Sequence, residues 1–341
     1  MTTTNGRRKL WLDAAKGIGI VLVVFGHSAD GLFSAGHLDR SGAVGTAFFL
    51  IYTFHMPLFF FLSGLTIPKS LGRGSAPFLK DKLATIAYPY LIWSLIQGTV
   101  QLQVASELNH GMTLWSLIAI PWNPIGHFWF LYALMVCHLV SALFARRPGL
   151  ALVMIPLGFI VSPIAPCVYC SIIAYHLPFY IAGWLLSSQV MTWDTGSGRG
   201  ALRLILWIGA AFAVSAALAA YTLDFQVYYT WVTIPAAIAG TLFVIAISKT
   251  FDLKRSSWIV VLGRCSLAIY VMHIMVVGGT RIILTKSGLV SDPVALLAIS
   301  TVFGLTAPLI ALHFLERFGL ADAVGLGRIH QGAKDARPSL A

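Results

Sequence analysis

The chain has 341 residues, of which 58% are hydrophobic and only 10% charged, with a mean hydropathy of +0.83 and a formal net charge of +11. That composition excludes an ordinary soluble domain and implies an all-α integral membrane protein. The basic residues form no long run and fall between apolar segments, which argues against nucleic acid as a partner and for a charge-oriented membrane topology.

The N-terminal stretch "MTTTNGRRKLW" is basic and leads into an apolar run without a small-residue cleavage site, so the first helix is expected to be retained. Apolar runs of spanning length lie at 14–34, 43–68, 83–104, 126–145, 149–166, 172–190, 204–222, 228–248, 265–284 and 293–314, which predicts a bundle of about ten transmembrane helices. Residues 112–125 are too short and too proline-broken to cross and read as interfacial or re-entrant. With the N-terminus in the cytoplasm, every Lys and Arg except Arg40, Arg281 and Lys286 falls on the cytoplasmic side, and an even number of spans brings the C-terminus back to it. Nothing resembling a linker or a repeat interrupts the pattern, so residues 1–341 read as a single membrane domain.

Ionisable residues at depth are the next signal. Lys16 and His27 are 11 residues apart in the first span, about three helical turns, which puts both on one face and about 16 Å apart along the axis. A lysine at a membrane surface then leaves His27 near the midplane, and His55 in span two and His273 in span nine come out at similar depth. Intramembrane histidines usually face a bundle interior or a polar cavity, so the three are site candidates. His55 is expected to face His27 across the first two spans, with Pro57 opening the backbone beside it. Asp13 is placed to orient Lys16, to bind water at the cytoplasmic mouth or to sit in a plain interfacial ion pair, and Asp30 either to hold the second ring nitrogen of His27 or to be solvated at the outer helix end. Trp129, Tyr270 and His273 are candidates for lining a substrate cavity, whereas His138 and His176 have no special claim. Glu316 and Arg317 read as an interfacial cap. Cys167 and Cys170, in "PCVYC", read as loop thiols or a local disulfide.

Histidine, with an unperturbed pKa near 6.5, suits removal of a proton from a hydroxyl at neutral pH. The chain resembles the acyltransferase 3 family of multi-span membrane acyltransferases, in particular its fucose O-acetylase-like and exopolysaccharide-modifying branch. The first span, "LDAAKGIGIVLVVFGHS", is similar to the family's basic residue, ten residues, then histidine. The stretches "FHMPLFFFLSG", "KDKLATIAYPYLIW", "HFWFLYAL" and "LGRCSLAIYVMH" follow in the family's order. The resemblance implies transfer of an acyl group, usually acetyl, from cytoplasmic acyl-CoA as co-substrate to a carbohydrate hydroxyl, with His27 as the catalytic residue and His55 beside it. No tightly bound cofactor and no metal are expected. Lys16, Lys80 and Lys82 would hold the CoA phosphates, because Thr85 stands where many relatives have arginine. The acceptor would be a surface glycan, lipid-linked in one version, and the location the bacterial cytoplasmic (inner) membrane.

Two other readings use the same residues. A secondary transporter or flippase could use intramembrane histidines as a proton relay, although paired broken helices and internal repeats are not evident. A metal site could be built from His27, His55 and His273, although no carboxylate or cysteine stands at matching depth.

Overall fold

The computed structural model describes residues 4–103, 113–223, 225, 228–251, 254 and 256–327, all of them helix, turn or irregular backbone without a strand. In chain order the helices are α1 (Thr4–Ser34), α2 (Ala43–Gly64), α3 (Ile67–Leu71), α4 (Ser75–Lys82), α5 (Tyr88–Gln103), α6 (Leu114–Ile118), α7 (Trp129–Leu143), α8 (Met154–Val161), α9 (Val168–Leu185) and α10 (Ser187–Thr192). They continue with α11 (Gly198–Leu223), α12 (Ile234–Thr250), α13 (Trp258–Arg264), α14 (Ser266–Lys286) and α15 (Pro293–Arg317).

Among the described residues, eight segments are long and apolar enough to cross a membrane: Leu10–Ser34, Ala43–Leu71, Gly126–Leu143, Val168–Leu185, Gly198–Leu223, Trp231–Thr250, Ser266–Lys286 and Pro293–Arg317. The other two expected spans fall short for separate reasons. Pro148–Ile164 is apolar but only of the shorter class, because 3-10 turns at Pro148–Val153 and Ser162–Ile164 flank the one regular stretch of α8. The run expected at 83–104 starts earlier, at Ser75, with Lys80, Asp81 and Lys82 in its first turns, and its last residue lies outside the described residues. Pro89 supplies no N–H for the carbonyl of Thr85, and the ladder widens there into a π turn, Leu83–Ala87, in which Tyr88 N–H reaches Leu83 O. Of the segment expected to be interfacial, α6 is a single exposed apolar turn carrying Trp115.

Helix α1 is the hub, packing against α2, α12, α13, α14 and α15. Lipid tails are as apolar as leucine side chains, so helices in a membrane are held by close packing, for which small residues are needed. A Cβ on Gly17 would lie 1.9 Å from the Ile259 carbonyl oxygen, and one on Gly263 1.7 Å from that of Asp13, so the backbones of α1 and α13 touch. The crossing of α2 and α9 is built alike, from Gly64 against Tyr180 O and Gly183 against Phe61 O, both at 2.1 Å. In its most apolar window α2 is 72% buried and α11 only 11%, so α2 is an inner helix and α11 faces outward.

The two ends of the bundle differ in charge. At one end Arg264 binds Asp13 at 3.2 Å, and Lys82 lies within electrostatic range of Lys16. At the other, Arg40 pairs with Asp30 at 2.6 Å, and Cys167 and Cys170 are joined in a disulfide. There the α1–α2 connection is tied by Asp39, which accepts from Ser41 N–H at 3.1 Å and Ser41 Oγ at 2.7 Å; these bonds hold its carboxyl below the usual range.

Candidate active site

Three imidazoles meet in the interior, from three parts of the chain. His27 of α1 lies 5.1 Å from His273 of α14 and 6.0 Å from His127, ring centroid to ring centroid, and His127 and His273 are 5.0 Å apart. His127 arrives by a local device: Gly126, at φ +49°, turns the chain into the 3-10 turn Gly126–Phe128 that heads α7. His127 and His273 are buried, while His27 is only partly covered.

Backbone carbonyls fix the tautomers of two of these rings. Tyr270 O accepts from His273 Nδ1 at 2.7 Å and from His127 Nε2 at 3.1 Å, and Ile269 O lies 3.1 Å from the same His273 nitrogen. A carbonyl only accepts, so those two nitrogens carry the protons and His127 Nδ1 and His273 Nε2 carry the lone pairs. Both lone-pair nitrogens are buried and find no protein partner among the described residues. The Tyr270 hydroxyl is engaged with the His127 carbonyl, so the tyrosine reaches the site through its ring and backbone and not, as a substrate ligand would, through its hydroxyl.

The remaining candidates are placed as follows. His55 is buried on α2, donates Nδ1–H to Ile51 O at 2.8 Å, packs 4.7 Å from the Tyr52 ring and lies within electrostatic range of His27. Trp129 does not join the three-histidine cluster. It packs 5.2 Å from His176, whose ring is also against Phe60 and Tyr229, both at 4.8 Å. The two aspartates that might have served the site are taken by arginines: Asp30 by Arg40, and Asp13 by Arg264 rather than Lys16. Among the described residues, no group of three His, Cys, Asp or Glu side chains is arranged to hold a metal ion.

Two cavities lead inward from the lysine end as far as Tyr270. An inner one of about 160 Å³ is lined by Lys16, Val23, Met56, Ser63, Phe130 and Tyr270, so it begins at the lysine and ends at the residue whose carbonyl holds the histidines. An outer groove of about 640 Å³ is lined by Lys80, Tyr88, Asp322 and Gly325, and both cavities share Thr85 and Leu267. The π turn thus stands at their junction. Lys82 turns elsewhere, toward Asp81 at 3.7 Å and the Phe78 ring at 5.6 Å. Residues 320–327 close the groove as a strap, tied by Tyr88 Oη to Ala323 O at 2.7 Å and Trp93 Nε1 to Val324 O at 2.9 Å.

The sequence reading did not place His127 or the strap at the site. His127 stands at the head of the "HFWFLYAL" stretch, a hundred residues from His27 and outside the deep spans, so no periodicity pairs the two.

Residues 9–313 match the family Acyl_transf_3, described as "Acyltransferase domain". The chain belongs to the acyltransferase 3 family. It is 28% identical over 186 residues to the nodulation protein NolL of Sinorhizobium fredii, covering 54% of this chain and 50% of that one. To NolL of Mesorhizobium japonicum it is 27% identical over 195 residues, covering 56% and 51%. The match therefore spans about half the length of these curated relatives. No solved structure matches the chain.

Proposed function

We propose that this chain is a membrane O-acyltransferase that moves an acyl group, acetyl in the simplest case, from cytoplasmic acyl-CoA to a hydroxyl of a surface carbohydrate, with His27 as the base. The observation that carries the reading is the inner cavity, which runs from Lys16 to Tyr270, the residue whose carbonyl holds two of the three histidines. Its walls are mostly apolar and its mouth is cationic, which suits a slender pantetheine arm with phosphates behind it. Lys16 and Lys80 line the route, and Lys82 contributes charge at the same end without lining it, so the phosphates would rest mainly on the first two. We place both termini in the cytoplasm of a bacterial inner membrane and count α4–α5 and Pro148–Ile164 as spans three and five, ten in all, because this puts the lysine end on the side that holds acyl-CoA.

In this mechanism the acyl-CoA thioester lies beside Tyr270 and the acceptor hydroxyl approaches His27 from the opposite end. His27 takes the hydroxyl proton as that oxygen attacks the thioester carbonyl carbon, and returns it to the departing CoA sulfur as the carbon–sulfur bond breaks. The apolar surroundings exclude water, which would otherwise compete as acceptor. The test is mass spectrometry of surface glycans from cells carrying the wild-type gene, no gene, or His27→Ala. An acyl-sized mass present only with the wild type supports the reading; an unchanged glycan profile in all three overturns it.

A further inference from the structure

The histidine cluster has more acceptors than donors. His127 Nδ1 and His273 Nε2 each present a buried lone pair, both held in place by the Tyr270 carbonyl. Neutral His27 has one N–H to offer them. Buried polar atoms in folded proteins are nearly always satisfied, so one more donor must enter the cluster.

Distance decides which lone pair His27 is better placed to reach. A direct N–H···N bond between two imidazoles separates their centroids by about 5.2 Å. His273 stands at 5.1 Å from His27 and His127 at 6.0 Å, so His273 is the nearer acceptor for the N–H of His27, although no hydrogen bond joins the two rings in this structure. Closed up by a few tenths of an ångström, that pair would give His273 the orienting role a carboxylate has in hydrolytic triads, whereas Asp30 is held by Arg40. His127 Nδ1 is left over. Its neighbours are Phe128 and the Tyr270 ring, neither of which can donate to it, and the Tyr270 hydroxyl is engaged elsewhere.

We propose that His127 Nδ1 accepts a hydrogen bond from a second hydroxyl of the acceptor, adjacent to the one His27 deprotonates, so that the site selects vicinal diols over isolated alcohols. The proposal rests on the base role of His27 given above. Two neighbouring hydroxyls on a ring are spaced like hydrogen-bonded partners, which matches one of them at His27 and the other at His127. No additional proton moves: the reacting hydroxyl gives its proton to His27 and His27 gives it to the CoA sulfur, while the second hydroxyl and both flanking histidines keep theirs. A cation would need three ligands, and among the described residues no group of three His, Cys, Asp or Glu side chains is arranged to hold one.

The test uses full-length protein in lipid nanodiscs with nitrogen-15-labelled histidine, resonances being assigned with His127→Gln and His273→Gln. The expected spectrum has His273 protonated on Nδ1 and His127 on Nε2; the opposite tautomer at either site overturns the proposal. Titration with cis-1,2-cyclohexanediol should move the His127 Nδ1 resonance and titration with cyclohexanol should not, whereas equal responses, or none, would mean that water and not a diol fills the position. In cells, His127→Phe should lower glycan acylation about tenfold or more, the scale of one lost hydrogen bond, with acetyl-CoA affinity unchanged, and His127→Gln, whose amide oxygen can accept, should restore part of it. Full activity of His127→Phe overturns the diol assignment. Full activity of His27→Ala overturns the base reading instead, so the two failures are distinguishable.

Discussion

Replacing Val23 with phenylalanine sets stability and activity against one another. Val23 is almost fully buried, lines the inner cavity and sits one helical turn before His27, so the added ring has room only in the route from Lys16 to the histidines. Filling unoccupied apolar space stabilises a fold by at most roughly 24 cal/mol per Å³, and this cavity, open at its lysine end, offers about 160 Å³. A ring that takes up a quarter of that space returns about 1 kcal/mol, which raises Tm by roughly 2 °C in a chain of this size. Val23→Phe should therefore be slightly more stable than the wild type in thermal unfolding monitored by gel filtration of detergent-solubilised protein. It should also transfer acetyl from acetyl-CoA at least tenfold more slowly. The control is Ile238→Phe in the outward-facing apolar groove between α11 and α12, which should change neither transfer nor Tm by much. A Val23→Phe protein that is stabilised and still acylates at the wild-type rate would show that the cavity is a packing void and not the donor's path.

Four further outcomes follow from the same geometry. His27→Ala should insert and fold but lose about 10² to 10⁴ in transfer rate, the range for loss of a general base, measured as acylated glycan per unit of membrane protein. Neutralising Lys16 and Lys80 to glutamine should weaken acetyl-CoA binding and flatten its salt dependence, whereas Lys82→Gln should do less; equal effects of all three would contradict the cavity lining. Gly183→Leu puts side-chain atoms where α9 already meets Phe61 O, so it should destabilise by at least the 1 to 3 kcal/mol usual for overpacking, read as lost yield of monodisperse protein. His55→Gln keeps a hydrogen-bonding group but cannot carry a proton at neutral pH, so full activity there, with an unfolded His55→Ala, would limit His55 to a structural role.

Much of this arrangement is readable in the amino-acid sequence because membranes impose strict rules. Apolar run length marks the spans, and the spacing of Lys16 and His27 puts a lysine and a deep imidazole on one helix face, of which the lysine lines the inner cavity. What escapes the sequence is anything carried by backbone. Tyr270 stands out for its hydroxyl, yet its carbonyl does the work of fixing two histidine tautomers. His127 lies on a 3-10 turn that owes its direction to Gly126, a conformation no hydrophobic period records. Charge partners escape for a similar reason: Asp13 and Asp30 have helical neighbours at the right spacing, but their partners, Arg264 and Arg40, are distant in the chain or in a connection, so spacing leaves an ion pair open without naming it. Span counting is least secure where proline interrupts, at the π turn before Pro89 and the 3-10 turns around α8, since the local ladder and the apolar run no longer share boundaries.

The strap formed by residues 320–327 has a consequence for biogenesis. Helices α1 to α14 can enter the bilayer and pack around the histidines while the ribosome is still translating, but the groove that holds Lys80 lacks a wall until Ala323 and Val324 have emerged and met Tyr88 and Trp93. A nascent chain stalled after α15 would thus have its histidines assembled and this groove open on one side, so under the proposed function the donor site is completed among the last of the described residues to leave the ribosome and not as each helix inserts.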